Sequence, residues 1–140
     1  MAGGLDQDMA AQFLYTKLTQ AAGLAGLTVY EGGAPSSAVY PLITFEAVPF
    51  VAPTLTAEGV YVLGRARYRV KVHAKDRPFS YLRTYKAAAY AALHRVQLVS
   101  VTSGEVYAAI CLDEIREEQD VDGVVYRRAG FEVEITGRSG

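Results

Sequence analysis

The sequence predicts a single α+β domain, residues 1–140, with a mostly antiparallel sheet of four to five strands and two helices packed on it. Three observations carry this. In the run Val60 to Ala74, Arg65 onward alternates basic and apolar residues at strict period two, the mark of a strand with one buried face. Asp122-Gly123 separates two strand-like runs and is a strong two-residue hairpin signal. Two segments of helical period stand among the strands without βαβ alternation, which argues for helices lying on the sheet.

Taken in order, residues 1–4 read as a frayed lead and Leu5 to Ala22 as a helix. Met9, Phe13, Leu14, Leu18 and Ala21 form its apolar stripe, and Asp6 and Asp8 suit the positive helix end. Gly23-Leu24 has the form of a left-handed helix cap. Leu27 to Glu31 is a short strand, Gly32 to Ser37 a loop, and Tyr40 to Val48 a strand. Pro49 to Gly59 reads as a loop, unusually apolar at Phe50, Val51 and Leu55. In the following strand Ala66, Tyr68, Val70, Val72 and Ala74 share one face, and Arg65, Arg67, Arg69, Lys71 and His73 the other.

Asp76 to Arg95 is the second helix. Asp76 is its candidate N-cap, with Pro78 in the first turn. Tyr81, Tyr85, Ala88, Ala89, Ala92 and Leu93 are its candidate buried stripe, and His94 and Arg95 place cations at its negative end. Val96 to Gly104 has no decisive period. Glu105 to Gln119 and Val124 to Gly137 then form the hairpin. Counting outward from its turn pairs Glu118 with Arg127, Glu117 with Arg128, Leu112 with Val133 and Ile110 with Ile135. The same register sets Asp113 against Glu132, which a bulge near Asp113–Glu114 would relieve. Arg138 to Gly140 reads as a tail.

Composition narrows the function only by exclusion. The chain has 51% hydrophobic and 21% charged residues and a net charge of −1. No global basic field draws nucleic acid or an anionic membrane. No apolar run approaches the about 20 residues that span a bilayer. The single Cys111 builds no internal disulfide and suits a reducing compartment. Met1 to Gln12 has two aspartates and no basic residue, unlike a signal peptide, so a cytosolic product is expected.

Catalytic signals are sparse. His73 and His94 show no metal-ligand spacing, Cys111 has no CxxC partner, and the glycines match no phosphate-cradling motif. Ala109, Ile110 and Leu112 mark Cys111 as a buried strand thiol. No catalytic residue, cofactor or metal is expected. Two charged features remain. Arg65, Arg67, Arg69 and Lys71 form a basic stripe, which Glu132 and Glu134 on a neighbouring strand could neutralise. It could instead meet the acidic hairpin at Glu117 and Glu118 of another copy, or DNA phosphates without base readout.

The run VYEGGAPSSAVYPLITFE at 29–46, the strand RARYRVKVHAKD, the helix YLRTYKAAAYAALHR and the closing VVYRRAGFEVEI follow one another in this chain. In that order they resemble the tail terminator (tail completion) proteins of tailed bacteriophages, over roughly residues 5–136. Such proteins often end the last strand on an aromatic residue, where Glu134 and Ile135 stand here. The resemblance implies a structural virion protein rather than an enzyme: a homo-oligomeric ring, typically of six copies, that is assembled in the host cytoplasm. It caps the tail tube, stops its polymerisation and meets the head–tail connector, with DNA passing through unread. The candidate subunit or tube interface is then Arg65, Arg67, Arg69, Lys71, Phe50, Val51, Leu55, Glu117 and Glu118. The alternatives are a head–tail connector protein, or a small α+β ligand-binding module or enzyme.

Overall fold

The structure is a computed structural model that describes residues 7–49, 55–57, 61–101 and 104–139. Helix α1, Gln7–Gln20, buries Met9, Phe13, Leu14 and Leu18 of the predicted stripe, with Ala10 besides, while Ala21 lies just past the helix and is only partly buried. A short 3-10 turn, Ala22–Leu24, follows it. The strands are β1 Thr28–Glu31, β2 Leu42–Ala47, β3 Leu55–Ala57, β4 Tyr61–Lys75, β5 Val96–Val101, β6 Gly104–Val121 and β7 Val124–Ser139. Helix α2, Phe79–Leu93, stands between β4 and β5.

The α+β class holds, but the sheet is larger and more mixed than predicted. Among the described residues it has seven strands in the order β1-β2-β4-β7-β6-β5, with β3 paired to β4. β1 runs parallel to β2 in the register Thr28↔Leu42 to Glu31↔Phe45, while every other pairing is antiparallel. The shortfall lies in β3 and β5, which are too short for a period to show. β3 falls inside the segment read as the loop 49–59. Arg138 and Ser139 of the predicted tail are also strand: β7 carries Arg138 opposite Glu105, and the two side chains meet at 3.0 Å.

Alternation in β4 behaves as its sequence dictates. Tyr68, Val70, Val72 and Ala74 are buried beneath the helices, together with Ile43 and Phe45 of β2 and Phe131, Val133 and Ile135 of β7. Among the described residues no helix covers the opposite face, which carries the charged residues of β4 together with the buried Leu42 and Thr44 of β2.

The hairpin turn at Asp122 and Gly123 has positive φ at both residues, 52° and 84°, the geometry that Asp-Gly favours. Glu118↔Arg127 and Glu117↔Arg128 pair as counted from the turn. Further out, Cys111 faces Val133 and Ala109 faces Ile135, in place of Leu112 and Ile110. The register shifts between Cys111 and Glu114, where the bulge was expected. One extra residue reverses which face each later side chain occupies. Ala109 and Cys111 therefore point into the core, and Ile110 is left exposed.

Three local expectations are corrected. Gly23 is not a left-handed cap. It sits in the 3-10 turn, where a Cβ would lie 2.7 Å from the Ala88 Cβ, so its need is space against α2. Asp76 is not the N-cap of α2, a position that Pro78 takes. Asp76 has φ 53°, and its amide and carboxylate bond the Val125 carbonyl and amide at 2.8 and 3.0 Å, tying the end of β4 to the hairpin. The buried stripe of α2 is Leu82, Ala89 and Leu93, with Tyr81 and Tyr85 at its margin in edge-to-face contact.

Candidate assembly surfaces

The uncovered face of the sheet is built by cross-strand register. Arg65, Arg67, Arg69 and Lys71 on β4 stand opposite Thr136, Glu134, Glu132 and Gly130 on β7. Arg65 Nη1 lies 3.8 Å from Glu134 and Arg69 Nε 3.9 Å from Glu132. Lys71 Nζ lies 2.9 Å from Glu117 on β6 and 3.8 Å from Glu46 on β2. Arg128 reaches Glu117 at 3.7 Å. Five cations thus interleave with four carboxylates, and the stripe that looks basic along one strand is nearly neutral across four. Lys71 holds the Glu117 carboxyl below its usual range, chiefly through this hydrogen bond.

His73 ends the row. Its Nε2 is 2.7 Å from the Thr44 hydroxyl, and Thr44 is itself buried. Burial, then the nearby Arg128 and Lys71 charges, lower the His73 pKa to about 4, so the ring is neutral near pH 7.

Glu117 and Glu118 do not form one acidic surface. Neighbours in a strand face opposite ways: Glu117 joins the charged face, and Glu118 turns to the helix side, 2.7 Å from Arg127. Leu55 opens β3, opposite Leu63. Phe50 and Val51 lie outside the described residues.

The helix side of the hairpin holds a feature that the sequence reading missed. A groove of about 630 Å³ opens between the first turns of α2 and the β6–β7 hairpin. Phe79, Arg83 and Lys86 of α2 line one wall, and Glu114, Arg116 and Arg127 line the other. Lys86 pairs with Glu114 at 2.8 Å, which holds the Glu114 carboxyl below its usual range. The Arg116 guanidinium lies 4.0 Å over the Phe79 ring. A signal was present in the sequence: Glu114, Arg116 and Glu118 are polar at the alternate positions that should face the core. Polar residues there mean that the core has ended and something polar lies opposite.

Burial pushes the Cys111 thiol up to about 12, which keeps it protonated near neutrality. His94 caps α2, and its Nδ1 accepts the Cys111 amide hydrogen at 3.0 Å, beside the bulge. Among the described residues, no three His, Cys, Asp or Glu side chains are grouped to hold a metal, and no helix is long and apolar enough to cross a membrane.

No protein-family model matches the chain, and no curated protein matches its sequence. Among solved structures, a chain of the virion of a native gene transfer agent particle matches with a TM-score of 0.61 at 17% identity. The match covers 96% of this chain and 98% of that one. At that identity the likeness is one of fold, and along nearly its whole length this chain has the fold of a gene transfer agent virion chain.

Proposed function

We propose that the chain is a structural virion protein, a tail terminator that assembles into a closed ring, caps the tail tube and joins it to the head connector. The observation that carries this reading is the end-to-end fold match to a virion chain. The ordered signatures from residue 29 onward, which resemble tail terminators, support it independently. The role needs no chemistry, only surfaces. The helix-free charged face, with Arg65, Arg67, Arg69 and Lys71, is the surface offered to the tube or to a neighbour. The run around Phe50, Val51 and Leu55 is more apolar in sequence than a solvated loop needs and is assigned the apolar part of that contact. Near-neutrality of the charged face fits a ring that lets DNA pass without gripping it.

The test is to mix the purified chain with tail tubes and follow mass and tube length by light scattering and electron microscopy. The expected result is a ring on one tube end and arrested growth. A chain that stays monomeric at millimolar concentration and with tubes present would overturn the proposal. A ring that binds the head connector but never a tube would favour a neck protein.

A further inference from the structure

The groove beside α2 has an unbalanced charge that the rest of the fold does not use. It is lined by four cations and two carboxylates. Lys86 and Arg127 are matched by Glu114 and Glu118 at 2.8 and 2.7 Å. Arg83 and Arg116 face no carboxylate among the described residues, and Arg116 is held instead over the Phe79 ring. The hairpin tip has the opposite surplus. Asp120 and Asp122 meet no cation among the described residues. Asp120 Oδ1 only closes the turn by accepting the Gly123 amide at 3.0 Å. Between the two aspartates, Val121 is 44% exposed.

We propose that the hairpin tip of one copy, Asp120 to Asp122, docks into the groove of the next copy, with its two carboxylates against Arg83 and Arg116 and Val121 against Phe79. The occupant has to come from a second copy. The Glu118↔Arg127 rung borders the groove, and Asp120↔Val125 lies two residues further along the same stiff ladder, roughly 7 Å away from it at the strand rise. A tip that points away from its own groove, with complementary charge and an apolar residue at its centre, makes a head-to-tail contact. Contacts of that kind close into rings when the rotation allows. This inference rests on the ring proposed above and names the contact that builds it.

Two variants separate the halves of the contact. Arg83→Glu with Arg116→Glu disables the groove and leaves the tip intact. Asp120→Asn with Asp122→Asn disables the tip, while Asn keeps the turn acceptor at 120 and tolerates the positive φ at 122. Melting curves check folding, and Arg83→Gln with Arg116→Gln replaces the reversal if it fails to fold. The expected result is that wild type forms rings and each variant alone stays monomeric, with assembly weakened about tenfold or more. A one-to-one mixture of the two variants, in which one contact per pair survives, should stop at dimers. Rings from both variants at wild-type strength would overturn the docking and leave the ring proposal standing. A wild type that never assembles, even on tubes, would sink the ring and the docking together. Variants that form rings but lose the tube would give the groove to an acidic tube segment instead and likewise overturn the proposal.

Discussion

Lys71 Nζ on β4 reaches Glu117 Oε1 on β6 at 2.9 Å, across the intervening strand β7. The crossing is open because the residue opposite Lys71 is Gly130. A Cβ at that position would lie 1.8 Å from the Val70 carbonyl oxygen and 2.8 Å from the Lys71 Cα. The ion pair and the close approach of β4 to β7 thus depend on the same missing side chain.

Gly130→Ala is expected to destabilise the fold by about 2 kcal/mol or more, since the clash is with backbone that cannot swing aside. Lys71→Ala and Glu117→Ala should each cost less, with a coupling of roughly 1 kcal/mol in a double-mutant cycle, because Glu117 is partly solvated. Denaturant unfolding measures all three. A Gly130→Ala chain as stable as wild type would show that the strands do not approach this closely.

His73 makes stability depend on pH. Its folded pKa of about 4 lies below the unfolded value of 6.5, so the unfolded chain binds more protons between those values. Stability is full above about pH 6.5, falls as the pH drops, and has lost the His73 contribution below about pH 4. Two and a half pKa units correspond to about 3 kcal/mol at most. His73→Gln, which keeps a partner for Thr44, should flatten the curve over this window. Carboxylates such as Glu117 act at the lower end of the window and below it. An unchanged pH profile in the variant would assign the whole dependence to them.

His94 holds the bulge. His94→Ala leaves the Cys111 amide without its acceptor and should cost about 1–2 kcal/mol. His94→Asn can return an oxygen near the Nδ1 position and should recover part of that loss. Amide exchange at Cys111 is the direct readout: it should quicken in the Ala variant and slow again in the Asn variant. Equal exchange in both would leave the bond without a role.

Reversal of Arg67 and Arg69 to glutamate tests the charged face. Each new carboxylate would stand opposite Glu134 or Glu132 in the register, so folding stability should fall by roughly 1 kcal/mol or less per site. If this face docks a tube or a neighbour, assembly should fail in a chain that still melts cooperatively. Wild-type assembly should then weaken with salt, because exposed charges are screened over about 10 Å at roughly 0.1 M. Undiminished assembly of the double reversal at low salt would return the face to plain solvent.

The sequence by itself determined both helices, the long alternating strand β4, the Asp122-Gly123 turn and the place of the bulge. These are local: each is written in a period, a turn dipeptide or a clash between neighbours on adjoining strands. It also offered Glu132 and Glu134 as carboxylates that neutralise the basic stripe from a neighbouring strand, but the register that sets Arg67 opposite Glu134 and Arg69 opposite Glu132 came only with the fold. What only the tertiary structure decided depends on residues far apart in the chain. β1 lies parallel to β2 through the path of the loop between them, and β3 and β5 are strands because a long neighbour offers them hydrogen bonds. Glu117 leaves the acidic hairpin for Lys71 because Gly130 opens the way across β7. The groove exists because α2 and the hairpin stop touching where the core ends. No period in a linear chain records where two elements part, and that is why its unmatched arginines were visible only once the fold was built.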